Sequence, residues 1–250
     1  MKSSRTEKQA LDTSLIDQSL AQHCFADKRE LLGYKQEVYG SSFLVELKER
    51  VEEFGRTTIG HTSRGYAYEL ADIGIEQGLY LYSLIRKFKP EIAVETGVCN
   101  GFSTAFLLLA LATNQTGKLY SLDFPEVAGA NYEEGTFWQG KRGAVIPQDK
   151  TPGWVIPEHL KSRWELTLGK SQDKLPELLA RLEKIDFFFH DSEHSYECMW
   201  FECNEAYKAL REGGIMLFDD IGWNQAFQNF AKQENKEVFY IGEDLGFFIK

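Results

Sequence analysis

The feature that most constrains the fold is a regular alternation of short apolar runs and longer helical stretches, which begins near residue 91 and continues to the end of the sequence. Buried strands of a parallel sheet appear in sequence as continuous apolar runs, and a helix usually makes the crossover between two of them. The alternation therefore predicts an α/β fold in which helices cover both faces of a mostly parallel sheet.

Seven strands and the helices around them can be placed along the sequence. The strands are expected at 91–96, 118–122, 164–168, 185–190, 214–218, 237–241 and 246–249. The helices are expected at 42–53, about 68–88, 103–113, 172–182, 194–210 and 223–231. The last two strands lie close enough in sequence to pair as an antiparallel hairpin. The predicted fold is thus Rossmann-like and doubly wound, with a mostly parallel seven-stranded sheet, a C-terminal antiparallel hairpin and an N-terminal helical extension.

Two stretches of the chain fall outside this alternation. Residues 1–62 are polar with apolar residues at helical spacing, and we expect a helical extension that acts as a cap or as an arm for homodimer formation. Residues 125–160 combine Gly, Pro and aromatic residues with little periodicity, so we expect an inserted, lid-like loop within a domain that spans 63–250. The aromatic residues of this insert either line a pocket or anchor the loop, and anchoring is the favoured interpretation.

Composition limits the partners and the compartment of the chain. The net charge of -10 and the lack of a Lys/Arg-rich run argue against a nucleic-acid partner, because phosphates would be repelled. The start of the sequence lacks the apolar core of a signal peptide, and the longest apolar run, 105–112, is too short to cross a bilayer. The cysteines form no CxxC pair. We therefore expect a cytoplasmic protein that acts on a small molecule, with no nucleic acid and no membrane partner.

A glycine-containing turn joins the first predicted strand to the helix that follows it. Residues 94–104 read VETGVCNGFST, with Gly97 and Gly101 between the apolar strand and the start of the helix. Glycines let such a turn close tightly and let a ligand approach the backbone. A glycine pair alone is weak evidence, but its position between a strand and a helix of a repeating β/α unit indicates a cofactor site.

Acidic residues and histidines follow directly after several of the apolar runs. Asp123 ends the second predicted strand, Asp191 and His194 follow the fourth, and the pair Asp219–Asp220 follows the fifth. Ligands in open α/β sheets bind outside the carboxyl ends of the strands, so we expect these side chains to meet at one edge. Three carboxylates there need neutralising, and their hard oxygens suit Mg²⁺ or another divalent cation. His194 would then take the proton from a substrate hydroxyl whose pKa the cation lowers.

The glycine turn resembles the first motif of the class I S-adenosylmethionine-dependent methyltransferases, acid-x-Gly-x-x-x-Gly. Glu95, Gly97 and Gly101 match this motif, although a middle glycine common in the family is replaced by Cys99. The resemblance implies S-adenosylmethionine as the cofactor, with its ribose hydroxyls on Asp123, because a carboxylate accepts two hydrogen bonds at once. The residues that the resemblance places on the cofactor are Glu95, Gly97, Gly101, Ser103, Asp123, Ser171, Gln172 and Asp191.

The acids after the fourth and fifth strands resemble those of the metal-dependent small-molecule O-methyltransferases. Catechol and caffeoyl-CoA methyltransferases carry an Asp after the fourth strand and an Asp-Asn pair after the fifth, where this chain has Asp191 and Asp219–Asp220. Antibiotic-sugar O-methyltransferases and the cephalosporin-hydroxylase-like group share an Asp-x-x-His pattern, which His194 matches. The resemblance covers residues 70–250 and implies methylation of a small-molecule hydroxyl, with Mg²⁺ or a similar ion on the three acids. It implies His194 and Asp191 as the catalytic residues.

This chain departs from the catechol enzymes at two of these positions. Asp220 stands where those enzymes have Asn, and His194 stands where they have a basic Lys. Structural alternatives also stay open, since Glu95 could cap a helix, the acids at 219–220 could stabilise a loop without metal, and His190 could satisfy a strand end.

Two other functions are compatible with the sequence. An NAD-linked oxidoreductase is less favoured, because the tight G-x-G-x-x-G fingerprint of dinucleotide sites is broken here. A non-catalytic protein that keeps the cofactor pocket is the other alternative. The clustered acids argue against this alternative, since a non-catalytic site does not need several carboxylates close together.

Overall fold

The computed structural model describes residues 13–57, 73–127, 130, 145–242 and 244–250. The strands in these ranges are β1 (Ile92–Thr96), β2 (Lys118–Asp123), β3 (Glu126–Val127), β4 (Val145–Ile146), β5 (Trp164–Leu168), β6 (Ile185–His190), β7 (Leu210–Phe218), β8 (Phe239–Ile241) and β9 (Leu245–Ile249). The helices are α1 (Thr13–His23), α2 (Lys28–Tyr39), α3 (Phe43–Thr57), α4 (Ile73–Phe88), α5 (Phe102–Asn114), α6 (Ser171–Leu182), α7 (Tyr196–Ala209) and α8 (Ala226–Gln233), with a 3₁₀ helix at Glu158–Arg163.

Seven of the strands form one sheet in the order β5-β2-β1-β6-β7-β9-β8. Neighbouring strands from β5 to β7 are parallel, whereas β9 is antiparallel to both β7 and β8. The predicted doubly wound sheet with an antiparallel C-terminal hairpin is therefore confirmed. Because β2 and β6 lie on either side of β1, the strand order reverses there, and such a switch point is where open α/β sheets bind ligands.

Alternate residues of the central strands enter two separate apolar cores. Ala93, Phe187 and Leu217 belong to one core, which α4 and α5 cover. Val94 and Phe188 belong to the other, which α6, α7 and α8 cover. Successive side chains of a strand point to opposite faces, so a sheet that is covered on both faces needs apolar residues throughout. This is the physical reason why the strands were visible as continuous apolar runs.

The N-terminal helices pack onto the first of these cores. Leu31 and Val38 of α2 have no exposed surface and lie in the same core as the residues of α4 and α5. The Asp27 side chain caps α2 by accepting hydrogen bonds from the backbone N–H groups of Arg29 and Glu30. Helical character was predicted here, but the breaks between three helices were not. The expected boundary after residue 62 lies outside the described residues, so the division into extension and domain stays a prediction.

The predicted insert at 125–160 is described only in part. β3 and β4 pair as a small parallel ribbon, and the 3₁₀ helix forms near the end of the insert. Neither element was predicted. Residues 128–129 and 131–144 lie outside the described part, so the lid-like character of the insert stays a prediction. Within the described ranges, no helix is long and apolar enough to span a membrane.

Candidate active site

The carboxyl ends of β1, β6 and β7 lie side by side at one edge of the sheet. Thr96 is in register with His190, and His190 is in register with Phe218. The backbone N–H of Asp191 donates to Thr96 O at 2.8 Å. The backbone N–H of Asp219 donates to His190 O at 2.9 Å, so this pairing continues beyond the strands. The acids that follow two separate apolar runs therefore do come together, as the position of the strand ends predicted.

The turn after β1 requires both of its glycines. Gly97 and Gly101 have φ of 87° and 93°, a region that favours glycine. A Cβ on Gly97 would lie 1.9 Å from Asp191 O, and one on Gly101 would lie 2.6 Å from Gly153 Cα. The tight turn is as predicted. The chain's own backbone lies against the positions that a Cβ would occupy, and a contact of these two glycines with the cofactor stays a prediction.

The end of the insert covers one side of this turn. The backbone N–H groups of Gly153 and Val155 donate to Cys99 O at 2.9 Å and to Asn100 O at 3.2 Å. The indole Nε1 of Trp154 donates to Asn100 Oδ1 at 2.6 Å. Trp154 thus anchors the insert to the turn, in line with the interpretation favoured for the aromatic residues of this region.

Glu95 lies beneath the turn with no exposed surface. Its carboxylate accepts hydrogen bonds from Ser121 Oγ at 2.7 Å, from Thr104 Oγ1 at 3.0 Å and from Ser103 Oγ at 3.3 Å. Burial raises the pKa of Glu95 to about 7, although these hydroxyl groups partly offset the effect. The geometry makes Glu95 an anchor for the start of α5. A direct cofactor contact of Glu95 or Ser103 stays a prediction.

Asp123, at the end of β2, faces the same turn. Its Oδ1 accepts hydrogen bonds from the backbone N–H groups of Val98 at 3.2 Å and Cys99 at 3.5 Å. Burial raises the pKa of this carboxyl group above its ordinary value. Its Oδ2 is buried and has no hydrogen-bond partner among the described residues. A buried acceptor without a partner is costly, so Oδ2 is suited to a donor that a ligand would supply.

Asp191 and Asp219 form the centre of the acidic cluster. Burial and the charge of Asp219 raise the pKa of Asp191 well above its ordinary value. Burial and the charge of Asp220 raise the pKa of Asp219 to about 7. Asp219 Oδ1 is buried and has no hydrogen-bond partner in the described part of the chain. The two carboxyl groups therefore favour a shared proton or a bound cation over two unscreened charges.

His194 lies at the rim of this acidic cluster. Its Nε2 is 3.9 Å from Asp191 Oδ1 and 3.6 Å from Asp220 Oδ2. Burial lowers the pKa of His194 to about 4, and the neighbouring His190 adds to the effect. The imidazole is therefore neutral near pH 7 and has a lone pair with which to accept a proton. The exposed ring of Trp223 lies beside it, with 5.3 Å between the ring centroids.

A buried His–Glu pair lies beneath the acidic cluster, and sequence reasoning missed its glutamate. His190 Nδ1 and Glu202 Oε2 are 2.7 Å apart, and neither side chain has any exposed surface. Burial opposes the ionisation of Glu202, but His190 and several hydrogen bonds outweigh it and lower its pKa to about 2. The available signal was helical spacing, because Glu202 shares the buried face of α7 with Met199 and Cys203.

The remaining predicted cofactor residues lie at the start of α6. Ser171 is buried and its Oγ lies 3.7 Å from Cys198 Sγ, whereas Gln172 is exposed. The backbone N–H of Gly169 donates to Asp123 O at 2.9 Å, which fixes this loop beside the end of β2.

Within the described ranges, no group of three or more His, Cys, Asp or Glu side chains is arranged so that it could hold a metal ion.

Comparison with known proteins identifies the class to which this fold and site belong. A family model described as a methyltransferase domain matches residues 94–221, which is more than half of the chain. This segment runs from the middle of β1 to just beyond the acids after β7. The chain therefore belongs to this family of methyltransferase domains.

Individual relatives are more distant. Tapetum-specific methyltransferase 1 from Arabidopsis thaliana is 23% identical over 169 residues, which cover 67% of this chain and 62% of the plant protein. A putative O-methyltransferase from Klebsiella pneumoniae superposes with a TM-score of 0.52 at 14% identity, covering 84% of this chain and 90% of that one. The Podospora anserina methyltransferase PaMTH1, solved with SAH, gives a TM-score of 0.51 at 14% identity and covers 84% and 88%. These two structures share the fold.

Proposed function

We propose that this chain transfers a methyl group from S-adenosylmethionine to a hydroxyl group of a small molecule. The observation that carries the proposal is that two buried side-chain atoms without partners lie at or just beyond the carboxyl ends of β2 and β6, the strands on either side of β1. They are Asp123 Oδ2 and Nδ1 of the neutral His194 imidazole, and neither has a hydrogen-bond partner among the described residues. The SAH in the Podospora structure supports the choice of cofactor.

The proposed cofactor site lies over the turn after β1. Asp123 would accept hydrogen bonds from the ribose hydroxyls through Oδ2, while its Oδ1 keeps the turn in place. Ser171 and Gln172, at the start of α6, would lie beside the adenine ring. S-adenosylmethionine supplies an electrophilic methyl group on a positively charged sulfur.

His194 is the proposed base. As the acceptor oxygen forms its bond to the methyl carbon and the sulfur–carbon bond breaks, the hydroxyl proton moves to the imidazole. Asp191 and Asp220, 3.9 and 3.6 Å from Nε2, would stabilise the imidazolium that results. The main contribution of the site is the alignment of acceptor and donor, since the reaction needs an in-line approach.

The finer part of the proposal is a divalent cation, Mg²⁺ or a similar ion, on Asp191, Asp219 and Asp220. These side chains would have to move into a coordinating arrangement when the ion binds, because the described residues do not hold one. The chemistry of the donors supports it, because all three supply hard oxygens and Asp219 Oδ1 has no partner among the described residues. A pKa of about 4 makes His194 a weak base, so an acceptor hydroxyl of ordinary acidity needs help to lose its proton. A cation there would lower the pKa of that hydroxyl.

Methyl transfer can be tested with radiolabelled S-adenosylmethionine and a panel that contains catechol and simple glycosides. We expect the wild-type protein to methylate at least one hydroxyl compound. In His194→Ala we expect the turnover rate to fall by about 10²- to 10⁴-fold, while SAH binding measured by calorimetry stays unchanged. His159→Ala is the matched control, because the His159 side chain lies on the 3₁₀ helix, is 63% exposed and is 3.9 Å from Glu46 of α3. Full activity in His194→Ala would remove the imidazole from the mechanism.

The metal and the cofactor have separate tests. Dialysis against EDTA and the Asp219→Ala substitution should each abolish turnover while sparing SAH binding, and Mg²⁺ should restore only the dialysed enzyme. Survival of activity under both treatments would overturn the metal part alone. For the cofactor, SAH should raise the melting temperature more than NADH does, because the ligand that binds the folded state more tightly stabilises it more. The reverse order would favour the oxidoreductase alternative.

A further inference from the structure

The fully buried pair of His190 and Glu202 has no part in the function proposed above. A buried ion pair is a poor source of stability, because apolar residues of similar volume often stabilise a fold as well or better. Stability therefore does not explain why this pair lies directly beneath a cluster of acids. The groups that the Glu202 carboxylate holds in place offer another explanation.

Glu202 collects hydrogen bonds from three elements of the site. Its carboxylate accepts from Thr96 Oγ1 at 2.6 Å and from Ser192 Oγ at 2.8 Å, and its Oε2 lies 2.7 Å from His190 Nδ1. Thr96 ends β1, His190 ends β6, and Ser192 follows Asp191 in sequence. The residues on both sides of Asp191 are thus tied to one carboxylate, while the N–H of Asp191 itself is bonded to Thr96 O.

The same contact fixes the proton position on His190. An ionised carboxylate can only accept hydrogen bonds, so the nitrogen that faces it, Nδ1, must carry a proton. The ring is further held by stacking on Phe218, with 4.9 Å between centroids, and by an edge contact with His194 at 5.4 Å. His190 Nε2 is buried and has no hydrogen-bond partner among the described residues.

We propose that Glu202 is a positioning residue for methyl transfer. It holds the 190–192 segment so that Asp191 faces the acceptor, and it keeps His190 protonated on Nδ1 with the ring packed against His194. This inference rests on the proposed function, because the residues that it positions act in that reaction. Outer residues of this kind commonly matter for rate by about 10- to 100-fold.

Glu202→Met tests the proposal with little change in volume. Methionine offers no oxygen to His190 Nδ1, Thr96 Oγ1 or Ser192 Oγ, so the three hydrogen bonds to the carboxylate are lost together. With the acceptor that gives turnover in the panel above, we expect kcat to fall about 10- to 100-fold, while KM for S-adenosylmethionine changes less than about threefold. Glu197→Gln is the matched control, because it replaces an exposed glutamate on the same helix. Its kcat should stay within about threefold of wild type.

A spectroscopic readout does not depend on turnover. In ¹⁵N NMR spectra of the wild-type chain, with His190→Gln for assignment, we expect a protonated Nδ1 on His190, and in Glu202→Met we expect the proton on Nε2. An unprotonated Nδ1 in wild type, or an unchanged kcat in folded Glu202→Met, overturns the proposal. If Glu202→Met does not fold, Ser192→Ala decides, with about a tenfold loss of kcat expected and no loss overturning the inference. If wild type transfers no methyl group to any acceptor, the proposed function fails while the tautomer result still stands.

Discussion

Glu95 is a carboxylic acid without any exposed surface, whose neighbours are hydroxyl groups rather than cations. Its pKa of about 7 in the folded chain compares with 4.5 for an ordinary glutamic acid. Between these two pH values the folded state keeps a proton that the unfolded state has released. The free energy of unfolding therefore falls as the pH rises through this interval, by up to about 3 kcal/mol in total.

The Glu95→Gln substitution should remove this dependence, because the amide is neutral at every pH. We expect urea unfolding at pH 5 and at pH 8 to show a smaller loss of stability in Glu95→Gln than in wild type. Glu197→Gln is the control, because Glu197 is exposed on α7 and its substitution should leave the dependence unchanged. Equal slopes in wild type and in Glu95→Gln would contradict the assigned protonation of Glu95.

A second residue-scale prediction concerns Gly97. Alanine there would combine a strained φ of 87° with a Cβ 1.9 Å from Asp191 O, which is backbone and cannot move independently of the site. We expect Gly97→Ala to lower the free energy of unfolding by about 2 kcal/mol or more, and to displace Asp191. Gly213→Ala is the matched control, because Gly213 also has a positive φ but no atom within 4 Å of the added Cβ. A difference of less than about 0.5 kcal/mol between the two variants would show that the close approach is harmless.

The residues of the site differ in how visible they were in sequence. Asp123, Asp191 and Asp219 could be predicted because each follows an apolar run, and parallel strands bring their carboxyl ends to one edge. Glu202 could not be found in this way, since its partner Thr96 is 106 positions away and only the folded sheet brings them together. The glycine turn was recognised, but not the insert segment that packs on it. Contacts between distant segments leave no periodic signal.

At the scale of elements, ion pairs connect α2 with α1 and α4. Lys35 Nζ lies 2.9 Å from Asp17 Oδ1, and both side chains are buried. Between α2 and α4, the partly exposed side chains of Arg86 and Glu37 pair at 2.7 Å, and those of Lys87 and Glu30 pair at 2.8 Å. The buried pair differs from the others, because removing one partner leaves an uncompensated charge inside the protein.

Lys35→Met should therefore lower the free energy of unfolding by about 3 kcal/mol, since among the described residues Asp17 then keeps the hydroxyl of Tyr80 as its partner but no cation. The double variant Lys35→Met/Asp17→Leu should recover much of this loss, because no buried charge remains. Lys48→Met is the matched control, as the pair of Lys48 and Glu52 is exposed and should contribute about 0.5 kcal/mol or less. Urea denaturation curves of wild type, the two single variants and the double variant give the free energies of unfolding. The interpretation would be wrong if the double variant were the least stable of the four.

The helices and strands of the sheet region could be placed to within a few residues, because apolar periodicity directly reports burial on one or two faces. The strand Ile185–His190 was predicted with both of its ends. β7 is the exception, since it starts at Leu210 instead of 214, directly after α7. Polar and glycine residues at 211–213 concealed this extension, because these three residues are exposed and carry no apolar signal.

At the scale of the whole molecule, the N-terminal helices and the sheet share one apolar core. Phe43 of α3 has its ring 4.9 Å from that of Phe106 in α5, and Leu31 of α2 lies in the same core as Ala93 of β1. The expected role of these helices as a cap or a dimerisation arm stays a prediction. The shared core couples the helices to the sheet, because opening α2 exposes apolar surface on α4 and α5.

This coupling predicts how the chain opens. Amide hydrogens near Leu31 and Val38 should exchange with the same free energy as those of β1 and β6, since each can be released only by global unfolding. Native-state hydrogen exchange followed by mass spectrometry resolves these segments. The amides of exposed residues such as Tyr39, at the end of α2, should exchange earlier and serve as the internal control. If α2 exchanged several kcal/mol more easily than β1, the helices would be a detachable arm, and a role in dimer formation would become the better explanation. Equal values would make residues 13–57 an integral part of the folded unit, so a variant lacking them should aggregate rather than bind SAH.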